Sequence, residues 1–554
     1  MARRWFRYVL AGMLTTAAAC AESPVGAPAT PAPTGPALRA VEAYAGRIRI
    51  GVIPSAASVK IGATTSYEVR EKGTNALVTT GAANEILTVT YDPAASVTTT
   101  SRLLQVVCTA STADRDTRLT NGAAAGFPTA SEYVSTAGCW RVYVGERPLP
   151  IDTAAERVYK DRVIAAGQAT SAALWKTVTL ARTLPRYRVT RGTGTQYLVA
   201  GAPRITPASG QVIIGTARYR GTAEVQINSA SVPAGINELP MEDYLYGVVP
   251  RELSPVTYPE IEAQKAQAVA ARTYAHANLG KHWNNGYDMG ATVGDQVYGG
   301  FSAEHPTSNG AVNATSGIVG TYSGALINAL FYATSGGRTA NSEDVFTSTV
   351  PYLRSVWDYP VGQELSSTAA LVADLRNPTS TTSYENWHHY HRWNYRWTMA
   401  QMSCVIGDFA NKPVGKVTAV NILTRASSGR VTQIEYVTEA GRFVHEGGAI
   451  RSSLQYINSA GTPTLLPSTL FMVEPINDAS GNRTGYAVYG GGNGHGAGLG
   501  QTGAVGMARA GFTYDQILKK YYTGIALEVK TGTRRDGSVT SSAAVADPYD
   551  CTAA

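Results

Sequence analysis

Glu252 is the side chain in this sequence best placed for acid–base chemistry. It lies in VVPRELSPVTYP, bracketed by Pro250, Pro255 and Pro259. Proline fixes its own φ and restricts the residue before it, so this connection leaves its side chains little freedom, as a catalytic carboxylate requires. Read alone, the same glutamate is an ordinary solvated loop residue. A second candidate is GHGAGLGQTGA, from Gly494, where five glycines surround His495 and Gln501. Such a loop brings backbone N–H groups close to a ligand, Gln501 can hydrogen-bond an acetamide, and His495 can donate to a substrate or orient Glu252. A tight structural turn with His495 as a core hydrogen-bonder accounts for the loop equally well. Tyr298 in DQVYGG offers a stacking face and a hydroxyl, or core packing. Ser335 and Gly336, with Gly337, either line a groove through their backbone or form a simple glycine turn.

Two helices must position Glu252. In NELPMEDYLYGVV, Pro240 followed by Glu242 and Asp243 suits a first helical turn, Leu245, Val248 and Val249 recur at helical spacing, and Pro250 interrupts. A second helix is expected from about Pro259 to Leu279, with Gly280 as its stop. On it Ala268, Arg272, Ala275 and Leu279 project within about 40° of Ile261. Arg272 therefore sits on the apolar face, where it calls for a carboxylate or a backbone loop against it; its role is structural or substrate-binding.

The chain of 554 residues, 44% hydrophobic and 16% charged, exceeds what one core accommodates. Its net charge of +7 comes from scattered Lys and Arg, which argues against nucleic-acid binding. Residues 1–20 have the layout of a signal peptide: Arg3, Arg4 and Arg7, the apolar stretch Val9 to Leu14, then small residues up to Cys20. Ala17, Ala18, Ala19 and Cys20 resemble a bacterial lipoprotein cleavage box, with Cys20 as the lipidated residue and plain cleavage as the alternative. Export to the cell envelope follows, with membrane attachment through Cys20 or release into the periplasm or medium. Residues 21–40, rich in Ala, Pro, Thr and Gly, read as a tether. Residues 41–209 read as a β-rich region, with runs such as RIRIGVI and LTVTYD, and ARYRGTAEVQI reads as a strand pair after it. Residues 529–554 read as a disordered tail. Cys108, Cys139, Cys404 and Cys551 allow three pairings, Cys108 with Cys139 being the most local. The expected fold class is α+β, with a larger mixed domain whose groove is open at both ends for a polymer.

Within the β-rich region, CWRVYVGERPLPIDTAAERVYKDRVIAAG gives an alternating strand, a turn and a helix from Thr153 to Ala166. Residues 139–181 resemble the opening of a SPOR domain, a module that in its family binds peptide-free glycan; an ordinary βα element reads the same way.

ELPMEDYLYGVVPREL followed by PEIEAQKAQAVAARTYA, then DQVYGG, ATSGGRTANSEDVF, PYLRSV, LPSTLF and GHGAGLGQTGAVGMARAG, in that order, closely resembles the stage II sporulation protein D, or amidase-enhancer, family over residues 210–528. The resemblance implies a peptidoglycan lytic transglycosylase with Glu252 as catalytic acid and base, and Arg272, Tyr298, Ser335, Gly336, His495 and Gln501 as candidate substrate-binding residues. It equally allows a non-catalytic peptidoglycan-binding protein that stimulates a cell-wall amidase. The implied chemistry needs Glu252 protonated near neutral pH, hence a pocket that raises its pKa. Some family members hold zinc through a Cys and two His before the QVY element. Here that stretch, HWNNGYDMGATVGDQVY, has His282, no Cys and no second His. The dense group His388, His389 and His391 in NWHHYHRW matches no usual zinc motif and reads as surface or aromatic core. Neither a metal nor another cofactor is expected.

Overall fold

RIRIGVI forms the strand Arg47–Ile53, with Ile48 and Ile50 fully buried. It pairs antiparallel with Pro233–Pro240, placing Ile50 opposite Asn237. This long-range pairing sets the organisation of the chain. The computed structural model describes residues 46–533 and 539–544, apart from residues 148, 193, 347, 380 and 381. They divide into two compact units: one runs up to Val89, takes in Arg191–Gly194 and resumes at Ala202, and the other comprises Thr90–Thr190 with Thr195–Gly201. The expected boundary after residue 209 therefore falls inside the first unit, because the first strand of the chain is completed by a partner near residue 237. The expected signal peptide, the expected tether, Cys20 and Cys551 lie outside the described residues.

The first unit opens with a sheet in the order Met289–Gly290, Arg47–Ile53, Pro233–Pro240, Thr222–Ile227, Pro203–Ile205, Tyr67–Glu71 and Leu77–Gly81. The strands Val59–Ala63 and Val212–Ile214 pack across its face. A Cβ added at Gly235 would lie 2.9 Å from Ile214 and 3.0 Å from Val59. Ala217–Tyr219 and Thr222–Ile227, expected as a strand pair, are both strands, but they join Val212–Ile214 and Pro233–Pro240 respectively instead of each other. Helices Met241–Glu252 and Ile261–Ala277 follow. Every residue of the second from Ala263 to His276, Lys265 apart, is buried. Its small alanines let neighbouring elements approach from all sides.

The later part of this unit has a core of its own, built by Trp397, Met402, Ile434, Tyr436, Phe471 and Val488 among others. Two three-stranded sheets frame it, one of Trp393–Thr398, Arg483–Gly490 and Phe471–Asn477, the other of Val417–Arg425, Val431–Thr438 and Gly441–Glu446. The strand Ala526–Thr533 pairs with Ile318–Tyr322 on one side and Val539–Ala544 on the other. The tail expected from residue 529 thus begins inside a sheet, where alternating Leu527 and Val529 face Gly320 and Ile318.

The second unit runs strand, helix, strand, strand, helix, strand: the end of Ile86–Thr109, then Thr112–Ala124, Thr129–Val134, Cys139–Arg147, Thr153–Ala165 and Leu174–Arg191. Numbered within the unit, the strands lie in the order 2-3-1-4, a split βαβ arrangement. Ser111 and Asp152 cap the two helices by accepting from the N–H groups of Asp114 and Ala155. Leu104, Phe127, Val144 and Val163 form the core. Cys108 and Cys139 are joined by a disulfide, the most local of the three pairings, while Cys404 is a free, exposed thiol. The whole is an α+β protein, as expected. Among the described residues, no helix is long and apolar enough to cross a membrane.

Candidate active site

Glu252 is the last residue of its helix, not part of the following loop as the prolines suggested. Pro250 lies in the final turn, where it has no N–H to donate back to Tyr246 O, and the helix closes two residues later with the N–H of Leu253 donating to Val249 O at 2.9 Å. The carboxylate points inward and is only 4% exposed. Its Oε1 accepts from the N–H of Val297 at 2.7 Å. Burial raises its pKa from 4.5 to about 7, against the opposing pull of the Val297 N–H and the Arg251 charge.

Three amide side chains hold this corner. Gln264 donates through Nε2 to Leu253 O at 3.0 Å and Tyr258 O at 2.8 Å, fixing the connection after Glu252. Gln296 accepts from Tyr244 Oη at 3.1 Å and donates to Ala271 O at 3.2 Å, fixing the segment that carries Val297. Gln501 donates to the backbone carbonyl of Glu252 at 3.0 Å and to Gln267 Oε1 at 3.2 Å. Gly247 is required here: a Cβ would lie 2.5 Å from the Tyr298 ring. Gln501, expected as a hydrogen-bond partner for a substrate acetamide, here supports the backbone of Glu252.

The other candidates divide. Arg272 is fully buried, chelated by both oxygens of Glu242 at 2.8 and 2.6 Å, and donates to the carbonyls of Ile318 at 3.1 Å and Val312 at 3.3 Å. Both expected partners, a carboxylate and a backbone loop, are present, and its role is structural. Tyr298 is buried against Tyr219 and Tyr244, with its hydroxyl donating to Asn237 Oδ1 at 2.8 Å, so it is core and not a stacking face for a ligand. Its neighbour Val297 makes the contact to Glu252. His495 is buried with Nδ1 accepting from the Ala497 N–H at 3.1 Å and Nε2 within 3.1 Å of Phe331 O, so both ring nitrogens are engaged away from Glu252. Burial drives its pKa down to about 3, so the ring is neutral, with its proton on Nε2.

Ser335 and Gly336 belong to a centre organised by a residue the sequence reading passed over. Glu385 is fully buried and accepts from the N–H of Ser335 at 2.8 Å, of Gly337 at 2.9 Å, and of Gly336, with Thr502 Oγ1 at 3.2 Å. Ser335 Oγ lies 2.9 Å from Glu385 Oε1 and 2.9 Å from Asp358 Oδ2. A hydroxyl has one proton, so one carboxyl must supply the second. Burial and the neighbouring Glu385 charge raise the pKa of Asp358, making it the protonated partner. Burial also opposes ionisation of Glu385, but the His391 contact and the Ser335 donors outweigh it and lower its pKa. His391 is itself pushed toward the neutral form by burial, so the three backbone donors, which do not titrate, carry most of that stabilisation. Glu385 stands in YENWHHYHRW beside the histidines, and no spacing rule links it to the Gly336–Gly337 turn, since the contact spans 50 residues. The two centres meet through consecutive residues: Gln501 touches Glu252, and Thr502 touches Glu385, Thr334 and Ala333 O.

His282 and Lys281 both contact Asp295, His282 Nε2 at 2.8 Å from Oδ2 and the ammonium on Oδ1. Lys281 already holds the carboxylate that meets His282, and among the described residues no group of three or more His, Cys, Asp or Glu is arranged to hold a metal ion.

The sequence profile of the stage II sporulation protein family matches residues 231–322, which contain Glu252, Val297 and Arg272. An uncharacterized protein of Brachyspira hyodysenteriae is 32% identical over 52% of this chain and 67% of its own length. The chain belongs to the stage II sporulation protein D family. Within that family, stage II sporulation protein D of Bacillus subtilis is 27% identical over 55% of this chain and 81% of its own. The amidase enhancer of Bacillus subtilis is 30% identical over 51% of this chain, a match that spans only 40% of that protein. Residues 340–498, which supply Asp358 and Glu385, match a domain of unknown function, DUF8618.

Proposed function

We propose that this protein is a cell-wall lytic transglycosylase that cuts peptidoglycan glycan strands at N-acetylmuramic acid, with Glu252 as acid and then base. The observation that carries this reading is the state of Glu252: a carboxyl buried to 4% exposure, with a pKa of about 7, poised to hold a proton near neutral pH and to release it. Val297 occupies Oε1, which leaves Oε2 to carry the transferred proton. Protonation of the glycosidic oxygen cleaves its bond to the muramic acid C1. Glu252, now ionised, takes the proton of the C6 hydroxyl of that sugar as its oxygen closes onto C1, giving a 1,6-anhydro end. No water enters, so one carboxyl suffices where an inverting or retaining hydrolase uses two. The reaction needs no cofactor.

On this reading the protein works in the cell envelope, lipid-anchored through Cys20 or exported free. The inserted unit, whose split βαβ order fits the SPOR resemblance, adds affinity for peptide-free strands. A second reading, a non-catalytic stimulator of a cell-wall amidase, is favoured by the likeness to the Bacillus subtilis amidase enhancer. Mass spectrometry of fragments released from peptide-free peptidoglycan by the parent and by Glu252→Gln separates them. Anhydro-ended products from the parent alone support the enzyme; binding without release by either protein supports the stimulator.

A further inference from the structure

We propose that the segment Trp387–Tyr390, with Tyr258, is a sugar-stacking subsite that holds the glycan strand beside Glu252. The inference rests on the transglycosylase reading and names where its substrate lies. Tyr258 belongs to the connection that leaves Glu252, and its ring meets that of Trp387 edge-on with centroids 5.7 Å apart. From Trp387 the rings continue in close succession: His388 at 5.5 Å, His389 at 4.4 Å from His388, and Tyr390 at 4.2 Å from His389. The residues that lead into the segment, Tyr384 and Glu385, pack along the helix Gln501–Arg509. At one end of it Arg509 lies over Trp387, 4.1 Å from the ring centroid, and at Gly506 there is no room for a Cβ beside Tyr384 O. At the other end Gln501 touches Glu252. Eight helical steps of 1.5 Å put about 12 Å between them, a few sugar rings along an extended strand.

The strip is braced from behind and open in front. His388 Nδ1 is 3.1 Å from Thr334 Oγ1, Trp387 Nε1 donates to Tyr384 O at 2.9 Å, and Arg509 is neutralised by Glu260 at 2.7 Å. Yet Trp387 is 37% exposed and His389 is exposed, as is Val256 in the Glu252 connection. Aromatic rings that stay in water while their polar edges are tied down suit the apolar faces of pyranose rings, and imidazoles at the rim suit their hydroxyls. A strand of nucleic acid would ask for a cationic groove, and here the one arginine on the strip is already paired.

Hydroxyl-radical footprinting of the full-length Glu252→Gln variant, with and without peptide-free peptidoglycan strands, tests the subsite independently of turnover. We expect at least threefold protection of Trp387 and His389, with Trp283, exposed elsewhere in the same unit, unchanged. Glycan that co-sediments with the protein while Trp387 oxidises as before overturns the subsite, and if the parent still releases anhydro-ended fragments the transglycosylase reading survives that result. Protection of Trp387 with no fragments released by the parent keeps the subsite and removes the enzyme. Failure of the variant to bind glycan at all overturns the subsite, and if the parent then also releases no fragments the transglycosylase reading falls with it. In the parent, Trp387→Ala should raise KM about tenfold and leave kcat within twofold; an unchanged KM counts against the subsite.

Discussion

Glu252 and Glu385 are both buried glutamates, one residue-pair apart through Gln501 and Thr502, and they are in opposite states. Glu252 has one N–H donor and a pKa raised to about 7. Glu385 has three backbone N–H groups, two hydroxyls and an imidazole around it, and a lowered pKa. Burial alone disfavours charge in both; the number of aligned donors decides which one keeps its proton. A carboxylate that organises a loop must stay ionised, while one that passes a proton must be able to hold it. On the transglycosylase reading, the contrast gives Glu385 the structural part and Glu252 the chemistry.

The sharpest way to break that contrast is to exchange the two roles by mutation. Glu252→Gln keeps the shape and an acceptor for the Val297 N–H but cannot donate or receive the transferred proton. Release of anhydro-ended fragments should fall by about 10⁴-fold, about 5 kcal/mol of barrier, with the fold intact. Loss of less than tenfold would remove Glu252 from the chemistry. Glu385→Ala should do the reverse, stranding the N–H groups of Ser335, Gly336 and Gly337 in the interior and costing about 4 kcal/mol of stability in urea unfolding. A variant of near-parental stability would mean that Glu385 is not the hub of that loop.

Titration sharpens the comparison. The folded pKa of Glu252 lies above its ordinary 4.5, at about 7, so across that window the folded chain holds a proton that the unfolded chain has released. Its contribution to stability therefore weakens as pH rises from about 4.5 to 7 and is level beyond. The gap of roughly 2.5 units amounts to about 3 kcal/mol. Relative to the parent, Glu252→Gln should gain about that much between pH 4 and pH 8, read from urea midpoints at each pH. Fragment release by the parent should decline above pH 7 as the acid form is lost. A difference between the two proteins that does not change with pH would contradict a protonated Glu252.

What the sequence made legible follows from the range of the interactions. The apolar-face position of Arg272 and the helix Thr153–Ala165 are local patterns, and each is found near where periodicity put it, whereas proline spacing set Glu252 in a loop and it closes the helix Met241–Glu252 instead. The pairing of Arg47–Ile53 with Pro233–Pro240 and the hydrogen bonds of Glu385 to residues 50 positions away are not local, and no spacing rule reports them. His495 and Tyr298 show a further limit. Their chemistry suits a ligand as well as a core, and only burial with both His495 nitrogens engaged, and the Tyr298 hydroxyl on Asn237, separates the two.

The smallest effect concerns the proton between the carboxyls. Protonated on Oδ2, Asp358 donates to Ser335 Oγ, which also accepts from the Gly337 N–H at 2.9 Å; Ser335 donates to Glu385, and Asp358 Oδ1 accepts from Tyr521 Oη at 2.7 Å. Ser335→Ala removes the middle link. Asp358 loses the acceptor for its proton and Glu385 loses one donor, yet the Gly336 and Gly337 N–H groups still bind Glu385. Stability should drop by about 1–2 kcal/mol, and fragment release by no more than a few fold, since Thr502 keeps its N–H on Ala333 O and its hydroxyl on Glu385, and Gln501 keeps its hold on Glu252. Urea unfolding and initial release rates read both. A large loss of activity at parental stability would move Ser335 from the supporting loop into contact with substrate, and the division of labour between the two glutamates would have to be redrawn around it.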